Sequence, residues 1–146
     1  MIKISPLTFE EYEKWLPLWK GYQVFYEAEI PDEVTTENWK RFHNPEEPMH
    51  ALGAYMDGEL VGFVHYIFHR TCWSSANSCY LQDLFASPEI RGKGIGRALI
   101  EAVYAAAKEK DSESVYWITQ EGNITARKLY DNIADLSGFV HYEKAL

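Results

Sequence analysis

The pattern of apolar and polar positions predicts a helix close to the start of the chain. Its apolar residues recur every three or four positions: Phe9, Tyr12, Trp15, Leu16 and Trp19. Thr8 and Glu11 have the spacing of a capping box, so the helix should begin at Thr8 and run towards Tyr26. A short strand over residues 2–5 precedes it. Pro17 lies inside the helix and should kink it or split it in two.

A second helix and a β-hairpin follow along the chain. Thr35 or Thr36 should open the helix, which ends near Phe42. The strands of the hairpin are predicted over residues 50–56 and 59–69. Asp57 and Gly58 between these strands form a dipeptide that is typical of a two-residue hairpin turn.

The second half of the chain alternates between strands and helices. Strands are predicted over residues 78–86, 115–119 and 139–142, and helices over residues 94–109 and 123–133. The full order is β-α-α-β-β-β-α-β-α-β, which indicates a mixed α/β sheet covered by helices. The strand–helix–strand crossover in the middle should be right-handed, so that its two strands lie parallel. Residues 1–146 are expected to form one domain.

Composition and charge narrow the classes of function. A chain of 146 residues with 47% hydrophobic residues can bury a core without a disulfide or a metal. The net charge of −8 argues against a partner that is nucleic acid or an anionic membrane, because both need a basic surface. No signal peptide and no long apolar run are visible, and Cys72 and Cys79 are expected to be reduced thiols. We therefore expect a cytoplasmic protein.

The segment from Arg91 to Arg97 has the features of an anion-binding loop. Its glycines stand at every second position, between a predicted strand and a predicted helix: Gly92, Gly94 and Gly96. Glycine allows positive φ and a close approach of a ligand to the main chain, and free amides at a helix N-terminus attract phosphate. The cations Arg91, Lys93 and Arg97 lie in the same segment of an otherwise acidic protein. The spacing G-x-G-x-G differs from the dinucleotide and P-loop motifs, so NAD and ATP are disfavoured.

The same residues resemble the signature of a known superfamily. Residues 91–96, Arg-Gly-Lys-Gly-Ile-Gly, match the pattern [QR]-x-x-G-x-[GA] of the GCN5-related N-acetyltransferase (GNAT) superfamily. Residues 80–85, Tyr-Leu-Gln-Asp-Leu-Phe, resemble a strand of the diamine/polyamine and histone/polyamine acetyltransferase branch. Residues 123–130, Asn-Ile-Thr-Ala-Arg-Lys-Leu-Tyr, resemble a helix of the same proteins. The resemblance covers nearly the whole order of elements.

This resemblance implies a fold, a cofactor and a set of site residues. The fold would be a mixed, mostly antiparallel sheet with a central pair of parallel, splayed strands and helices on both faces. The cofactor would be acetyl-CoA, which is bound by the following residues: Leu84, Phe85, Ala86, Arg91, Gly92, Lys93, Gly94, Ile95, Gly96, Arg97, Asn123, Ala126 and Tyr130. The backbone of residues 84–86 would pair with the pantetheine arm, the loop would wrap the pyrophosphate, and Tyr130 would lie beside the sulfur.

Amide formation requires an acid and a way to deprotonate the amine. Tyr130 is the candidate acid, because a phenol can protonate a departing thiolate. The related strand has a Glu where this chain has Gln82, and an amide side chain cannot take a proton. Asp83 is therefore the candidate base, directly or through water, although simple alternation turns it to the other side of the strand. A β-bulge could redirect it. The alternatives are a structural Asp83 and deprotonation through a chain of waters.

The acceptor is expected to carry a primary amine: a polyamine or another small amine is the first choice, and an amino acid or a peptide lysine is the second. Candidate acceptor-binding residues combine aromatic rings with carboxylates and one amide: Tyr22, Phe25, Tyr26, Glu27, Glu29 and Gln82. The alternative is that these aromatics are core and these acids a solvated face. His65 and His69 lie an even number of residues apart on one strand, but without a third ligand no metal site is predicted.

The sequence therefore predicts an N-acetyltransferase that works by direct attack of the amine in a ternary complex, and the resemblance implies a homodimer. One alternative from another class stays open, a catalytically silent module that binds acyl-CoA and regulates. Gln82, which replaces the glutamate, favours that alternative, whereas Tyr130 favours the enzyme.

Overall fold

The computed structural model describes residues 1–146 and consists of one five-stranded sheet with helices on both faces. The strands are β1 (Ile2–Pro6), β2 (Met49–Met56), β3 (Glu59–Arg70), β4 (Asn77–Ala86) and β5 (Ser114–Tyr116). The helices are α1 (Tyr12–Phe25), α2 (Asp32–Phe42), α3 (Ile95–Glu109) and α4 (Ile124–Ile133). The strand order is β1-β2-β3-β4-β5, antiparallel except for the parallel pair β4–β5. The predicted fold class is confirmed.

In the first half, the predicted capping box and hairpin turn are confirmed, Pro17 does not split its helix, and the predicted start of α2 is wrong. The Thr8 amide donates to the Glu11 carboxylate at 2.8 Å, as a capping box requires. Asp57 and Gly58 both have positive φ, 52° and 82°, in the hairpin turn. However, α1 runs through Pro17 without being split. Helix α2 begins at Asp32 rather than at Thr35 or Thr36, because acidic residues favour a first helical turn and Pro31 can precede it.

The two faces of the sheet carry separate cores. On one face α3 presents an apolar stripe to the sheet, and α4 adds partly buried residues at its edge. The stripe consists of Ile95, Leu99, Ile100, Val103 and Ala107. On the other face α1 and α2 bury Trp15, Trp19 and Trp39 against Phe63 of β3 and Phe85 of β4. The indole rings of Trp15 and Trp19 are stacked with centroids 5.8 Å apart. Of the candidate acceptor residues, Tyr22 packs against this aromatic core.

A β-bulge in β4 changes which way the strand's side chains point. His65 of β3 is paired with Asp83, whereas the next residue, Tyr66, is paired with Leu81, so Gln82 is the extra residue. Leu81 is buried against α3 on one face. Two positions later Asp83 contacts residues of the other face, which simple alternation would not allow. The predicted redirection of Asp83 by a bulge is confirmed.

The parallel strands part soon after they meet. Strand β5 is paired only with Ser78, Cys79 and Tyr80, so β4 continues to Ala86 without a partner on that side. The pair lies at the edge of the sheet rather than at its centre, because the predicted last strand over residues 139–142 does not form. That prediction was wrong, since no hydrogen bond between two backbone groups involves residues 135–146. No helix is long and apolar enough to cross a membrane.

Candidate active site

The loop before α3 presents an unbroken series of free amides. No amide from Arg91 to Arg97 donates a hydrogen bond within the protein, and the series ends where the Ala98 amide donates to the Gly94 carbonyl at 3.0 Å. Gly92 and Gly94 adopt left-handed backbone with φ of 83° and 82°, and a Cβ at either would meet nothing within 4 Å. These amides and the α3 N-terminus fit a pyrophosphate group, as the sequence predicted.

Charged side chains around this loop are exposed. Arg91, Lys93 and Arg97 all lie at the surface, where a phosphate could approach them. Arg97 is 3.5 Å from Glu101 on the next turn of α3. The Arg91 guanidinium lies over the rings of Phe25 and Phe85, 5.3 Å and 5.7 Å from their centroids. Arg91 therefore joins the loop to the aromatic face.

The free stretch of β4 lies between the loop and the aromatic face. Residues 81–86 carry no strand on the side where β5 departs, so their backbone can accept an extended ligand as a further strand. Leu84 and Ala86 pack towards α3, whereas Phe85 is buried on the aromatic face. This arrangement fits a pantetheine arm along residues 84–86. Ile95 is buried in the α3 core, so it offers its backbone rather than its side chain.

Helix α4 brings Tyr130 to this region. The Tyr130 ring is in edge contact with Trp117, with centroids 5.3 Å apart, and its hydroxyl makes no hydrogen bond within the protein. Burial, and then the charge of Tyr26, raises the pKa of Tyr130. Its hydroxyl therefore stays protonated at neutral pH and is free to donate. Asn123 caps α4 by accepting from the Ala126 amide at 3.4 Å, so both residues also have a structural role.

Asp83 is the charged centre of the aromatic face. Its Oδ1 accepts a hydrogen bond from the Tyr22 hydroxyl at 2.7 Å, and its Oδ2 lies 2.9 Å from His65 Nδ1. Its side chain is 13% exposed, so it keeps some access to solvent. Helix α1 can come this close because a Cβ at Gly21 would lie only 3.1 Å from the Phe85 ring. The carboxylate is thus fixed by α1 and β3 while it still faces the cleft.

Tyrosine rings surround this carboxylate. Tyr22 and Tyr26 are in contact, with ring centroids 4.9 Å apart, and burial followed by the Asp83 charge raises the pKa of both. On β4, burial and then the Asp83 charge also raise the pKa of Tyr80, whose ring stacks on that of Tyr116 with centroids 5.0 Å apart. A carboxylate among aromatic rings suits an ammonium group, which gains charge pairing and cation–π contact together.

The structure separates the remaining predicted acceptor residues from this centre. Glu27, with φ of 53°, and Glu29 are exposed in the connection from α1 to α2, and neither contacts Asp83. Gln82 is the exposed residue of the bulge. Phe25 lies nearer, against Tyr26, with ring centroids 5.0 Å apart.

Sequence reasoning missed the roles of His65 and Tyr80. His65 attracted attention only as a metal ligand, yet it is paired with Asp83 across the sheet and bonded to it. The hairpin strand alone indicates that His65 lies on the aromatic face, because His65 and Phe63 are two positions apart and therefore share a face of β3. The contact between His65 and Asp83 could not be predicted, because the bulge at Gln82 changes the register of β4 and simple alternation then fails.

Comparisons with known proteins agree with this geometry. The model of the acetyltransferase (GNAT) family matches residues 12–134. The D-amino-acid N-acetyltransferase HPA3 of Saccharomyces cerevisiae is 35% identical over 145 residues, which cover 98% of this chain and 90% of that protein. The thialysine N-epsilon-acetyltransferase of Bos taurus is 34% identical over 71 residues, 49% of this chain and 41% of that protein.

A solved structure shows the same fold. The enzyme AAC(6')-Iy, in complex with the bisubstrate analog CoA-S-monomethyl-acetylneamine, aligns with a TM-score of 0.86 at 18% identity and covers 100% of this chain and 99% of that one. The match at such low identity reflects the shared fold. The family model, in contrast, spans most of the sequence, including the loop, Asp83 and Tyr130. The chain therefore belongs to the acetyltransferase (GNAT) family and is an acetyl-CoA-dependent N-acetyltransferase.

Proposed function

We propose that this enzyme acetylates the primary amine of a small molecule by direct attack in a ternary complex. The observation that carries the proposal is the Asp83 carboxylate, which the bulge directs into a cleft of tyrosines beside the free edge of β4. Acetyl-CoA supplies an acetyl thioester at this edge, and the loop amides, residues 84–86, Asn123 and Ala126 would hold it. The acceptor nitrogen would then lie between Asp83 and Tyr130.

Proton transfer can be assigned to two side chains. An aliphatic amine arrives as ammonium and must lose a proton before it attacks. Asp83 would take that proton, directly or through water, and a chain of waters alone is the alternative. Tyr130 would donate its hydroxyl proton to the departing thiolate, and the second proton that the nitrogen loses as the amide forms would restore the phenol through water. Its raised pKa keeps that proton in place until it is needed.

The acceptor class follows from the charges around the cleft. Asp83 and the tyrosines favour any ammonium-bearing acceptor, which includes polyamines, other small amines, amino acids and a peptide lysine. The relatives named for D-amino acids and thialysine favour amino acids within this set. The exposed Arg91 guanidinium, above Phe25 and Phe85, could pair with the carboxylate of such an acceptor.

An acceptor screen tests this proposal. Release of free thiol from acetyl-CoA should be followed with spermidine, a diamine, thialysine, D- and L-amino acids and a lysine peptide. We expect turnover with at least one primary amine, and the highest kcat/KM with amino acids. Tight binding of acetyl-CoA without turnover over the whole panel would contradict the proposal and favour the regulatory module.

We also propose that two copies of the chain associate through the C-terminal segment. Large apolar residues there are 75% to 116% exposed: Leu136, Phe139, Val140, Tyr142 and Leu146. The outer edge of β5 carries no strand, so residues 139–142 of one copy could extend the sheet of a second copy. Light scattering should give the mass of a dimer. The double substitution Phe139→Asp and Tyr142→Asp should give a monomer, whereas Val34→Asp on α2 should not.

We further propose a cytoplasmic location for the enzyme. Both cysteines are free, Cys72 exposed and Cys79 buried, which suits a reducing compartment. Cell fractionation with an antibody to the native protein would test this, and recovery with the secreted fraction would contradict it.

A further inference from the structure

A chain of hydrogen bonds runs from the buried core to the acceptor cleft. The Trp15 indole Nε1 donates to His65 Nε2 at 3.1 Å, and His65 Nδ1 lies 2.9 Å from Asp83 Oδ2. The Tyr22 hydroxyl donates to the other oxygen of Asp83 at 2.7 Å. Three elements, α1, β3 and β4, therefore meet at one carboxylate.

The partners of His65 decide where its proton lies. An indole N–H can only donate, so His65 Nε2 must accept and carries no proton. The neutral ring then holds its proton on Nδ1 and donates it to Asp83. A second proton on Nε2 would face the Trp15 proton and break that bond. His65 is therefore unable to act as the base of the reaction while Trp15 is in place.

The surroundings of His65 also favour the neutral ring. His65 is 3% exposed, and the rings packed on it have centroids 4.5 Å to 5.8 Å away: Trp15 and Trp19 from α1, Phe42 from α2, and Phe63 from β3. From β2 its paired residue is Ala51. The charged group in contact with the ring is Asp83 of β4, and Tyr22 faces Asp83 from α1.

We propose that His65 is a positioning residue for the acceptor: held neutral by Trp15, it fixes the Asp83 carboxylate so that a free lone pair faces the amine. The inference rests on the proposed function, because it gives Asp83 a task at the acceptor nitrogen. Each carboxylate oxygen has room for a second hydrogen bond after His65 and Tyr22 have taken the first. Fixing the carboxylate matters because small errors in the position of a reacting group lower rates steeply.

Paired substitutions at His65 test the role of its donor. His65→Leu removes the bond to Asp83, and we expect kcat/KM for the acceptor to fall about 100-fold. His65→Asn places an amide N–H near the position of Nδ1 and should recover most of that loss. Affinity for coenzyme A, measured by calorimetry, should stay near wild type in both. His50→Leu, on the opposite face of the sheet, is the matched control and should keep wild-type kcat/KM.

The state of the ring can be measured without turnover. In the protein with ¹⁵N-labelled histidine at neutral pH, His65 should show a protonated Nδ1 and an unprotonated Nε2. Trp15→Phe removes the indole donor and frees Nε2, so the ¹⁵N signal of Nε2 should move to that of a ring nitrogen that accepts no hydrogen bond. The spectrum of Tyr22→Phe should keep the Nδ1 proton.

The outcomes separate this inference from the function on which it rests. If an amine is turned over but His65→Leu keeps wild-type kcat/KM, the positioning role is wrong and the function stands. A protonated Nε2 in the wild-type spectrum, or a His65→Asn variant as impaired as His65→Leu with coenzyme A binding intact, would also overturn it. If no amine is acetylated, the proposed function fails and the positioning role fails with it, whatever the spectrum shows.

Discussion

The proposed cofactor loop is made by the backbone of one contiguous segment, residues 91–97, whereas the proposed acceptor cleft is made by side chains from α1, β3 and β4. The loop needs only free amides and two glycines with positive φ. The cleft needs a bulge at Gln82, a histidine on the neighbouring strand and an aromatic helix packed above them. Binding by a contiguous backbone motif should be little affected by substitutions elsewhere in the chain. The preference of a cleft assembled from distant residues for one acceptor can change when any one of its elements changes.

This comparison predicts that substitutions in the two regions affect different steps. Changes in the loop should alter binding of acetyl-CoA, and changes around Asp83 should alter use of the amine. Tyr130 lies where the regions meet and should affect turnover alone.

After substitution of Asp83 itself, the largest effect is expected for Tyr130→Phe. Loss of the hydroxyl should lower kcat by about 100-fold or more, within the range of general acid catalysis, with coenzyme A affinity nearly intact. The raised pKa of Tyr130 also predicts that wild-type kcat/KM does not fall on the alkaline side until about pH 10 or above, since the protonated phenol is the active form. Steady-state assays over a range of pH should show this alkaline fall in kcat/KM for the wild type, and Tyr130→Phe should lack it. Unchanged kcat would remove Tyr130 from the mechanism.

A smaller effect is expected at Gly94. An alanine there must keep φ of 82°, and left-handed backbone costs a side-chain residue about 1 to 2 kcal/mol. We expect KM for acetyl-CoA to rise about tenfold, with little change in KM for the amine. Gly58→Ala, in the β2–β3 turn with the same φ of 82°, is the matched control. It should lower stability to a similar degree without altering KM. If both variants changed KM equally, the loop would have no special part in binding.

Tyr26→Leu should have a modest effect on the acceptor side. The ring lies against Tyr22 and within reach of the Asp83 charge, so its loss removes cation–π attraction for an ammonium group. KM for the amine should rise about fivefold while KM for acetyl-CoA holds. Phe9→Leu, an exposed aromatic before α1, serves as the control. A rise in KM for acetyl-CoA instead would place Tyr26 on the cofactor side.

An effect outside both regions concerns stability at high pH. Burial raises the pKa of Tyr66 to about 12, so the unfolded chain loses this proton before the folded protein does. Between the two pKa values the free energy of unfolding should fall with rising pH by up to about 1.4 kcal/mol per pH unit for this group. Below about pH 10 its contribution is complete. Urea unfolding from pH 9 to 12 should show a shallower decline in Tyr66→Phe than in wild type; identical slopes would refute the assignment.

The difference between the regions also explains what the sequence could predict. Gly92, Gly94 and the adjoining helix are local features, so the backbone geometry of the loop could be predicted from the sequence, while its binding of the cofactor stays a prediction. Asp83 was identified only as a candidate, because alternation turned it to the wrong face and the bulge depends on how β3 and β4 pair. The bond from Trp15 to His65 joins residues 50 positions apart, and no local pattern encodes it.

Errors at the level of elements have the same origin. Residues 139–142 have the composition of a strand, but a strand needs a partner edge, and the single chain brings none to them. Strand β5 ends at Tyr116, earlier than predicted, because β4 turns away after Tyr80 and leaves it unpaired. Helix α1 continues past Pro17, whose ring is exposed, since packing of Trp15 and Trp19 outweighs the missing backbone bond.

The separation of the two regions is tested most directly by Asp83→Asn, which keeps the shape of the side chain and removes its charge. With the best amine of the acceptor screen, kcat/KM for the amine and the dissociation constant of coenzyme A should be measured on the same preparations. We predict that kcat/KM falls about 1000-fold while the dissociation constant stays at the wild-type value. Wild-type kcat/KM, or a parallel loss of coenzyme A affinity, would contradict the assignment of Asp83 to the acceptor.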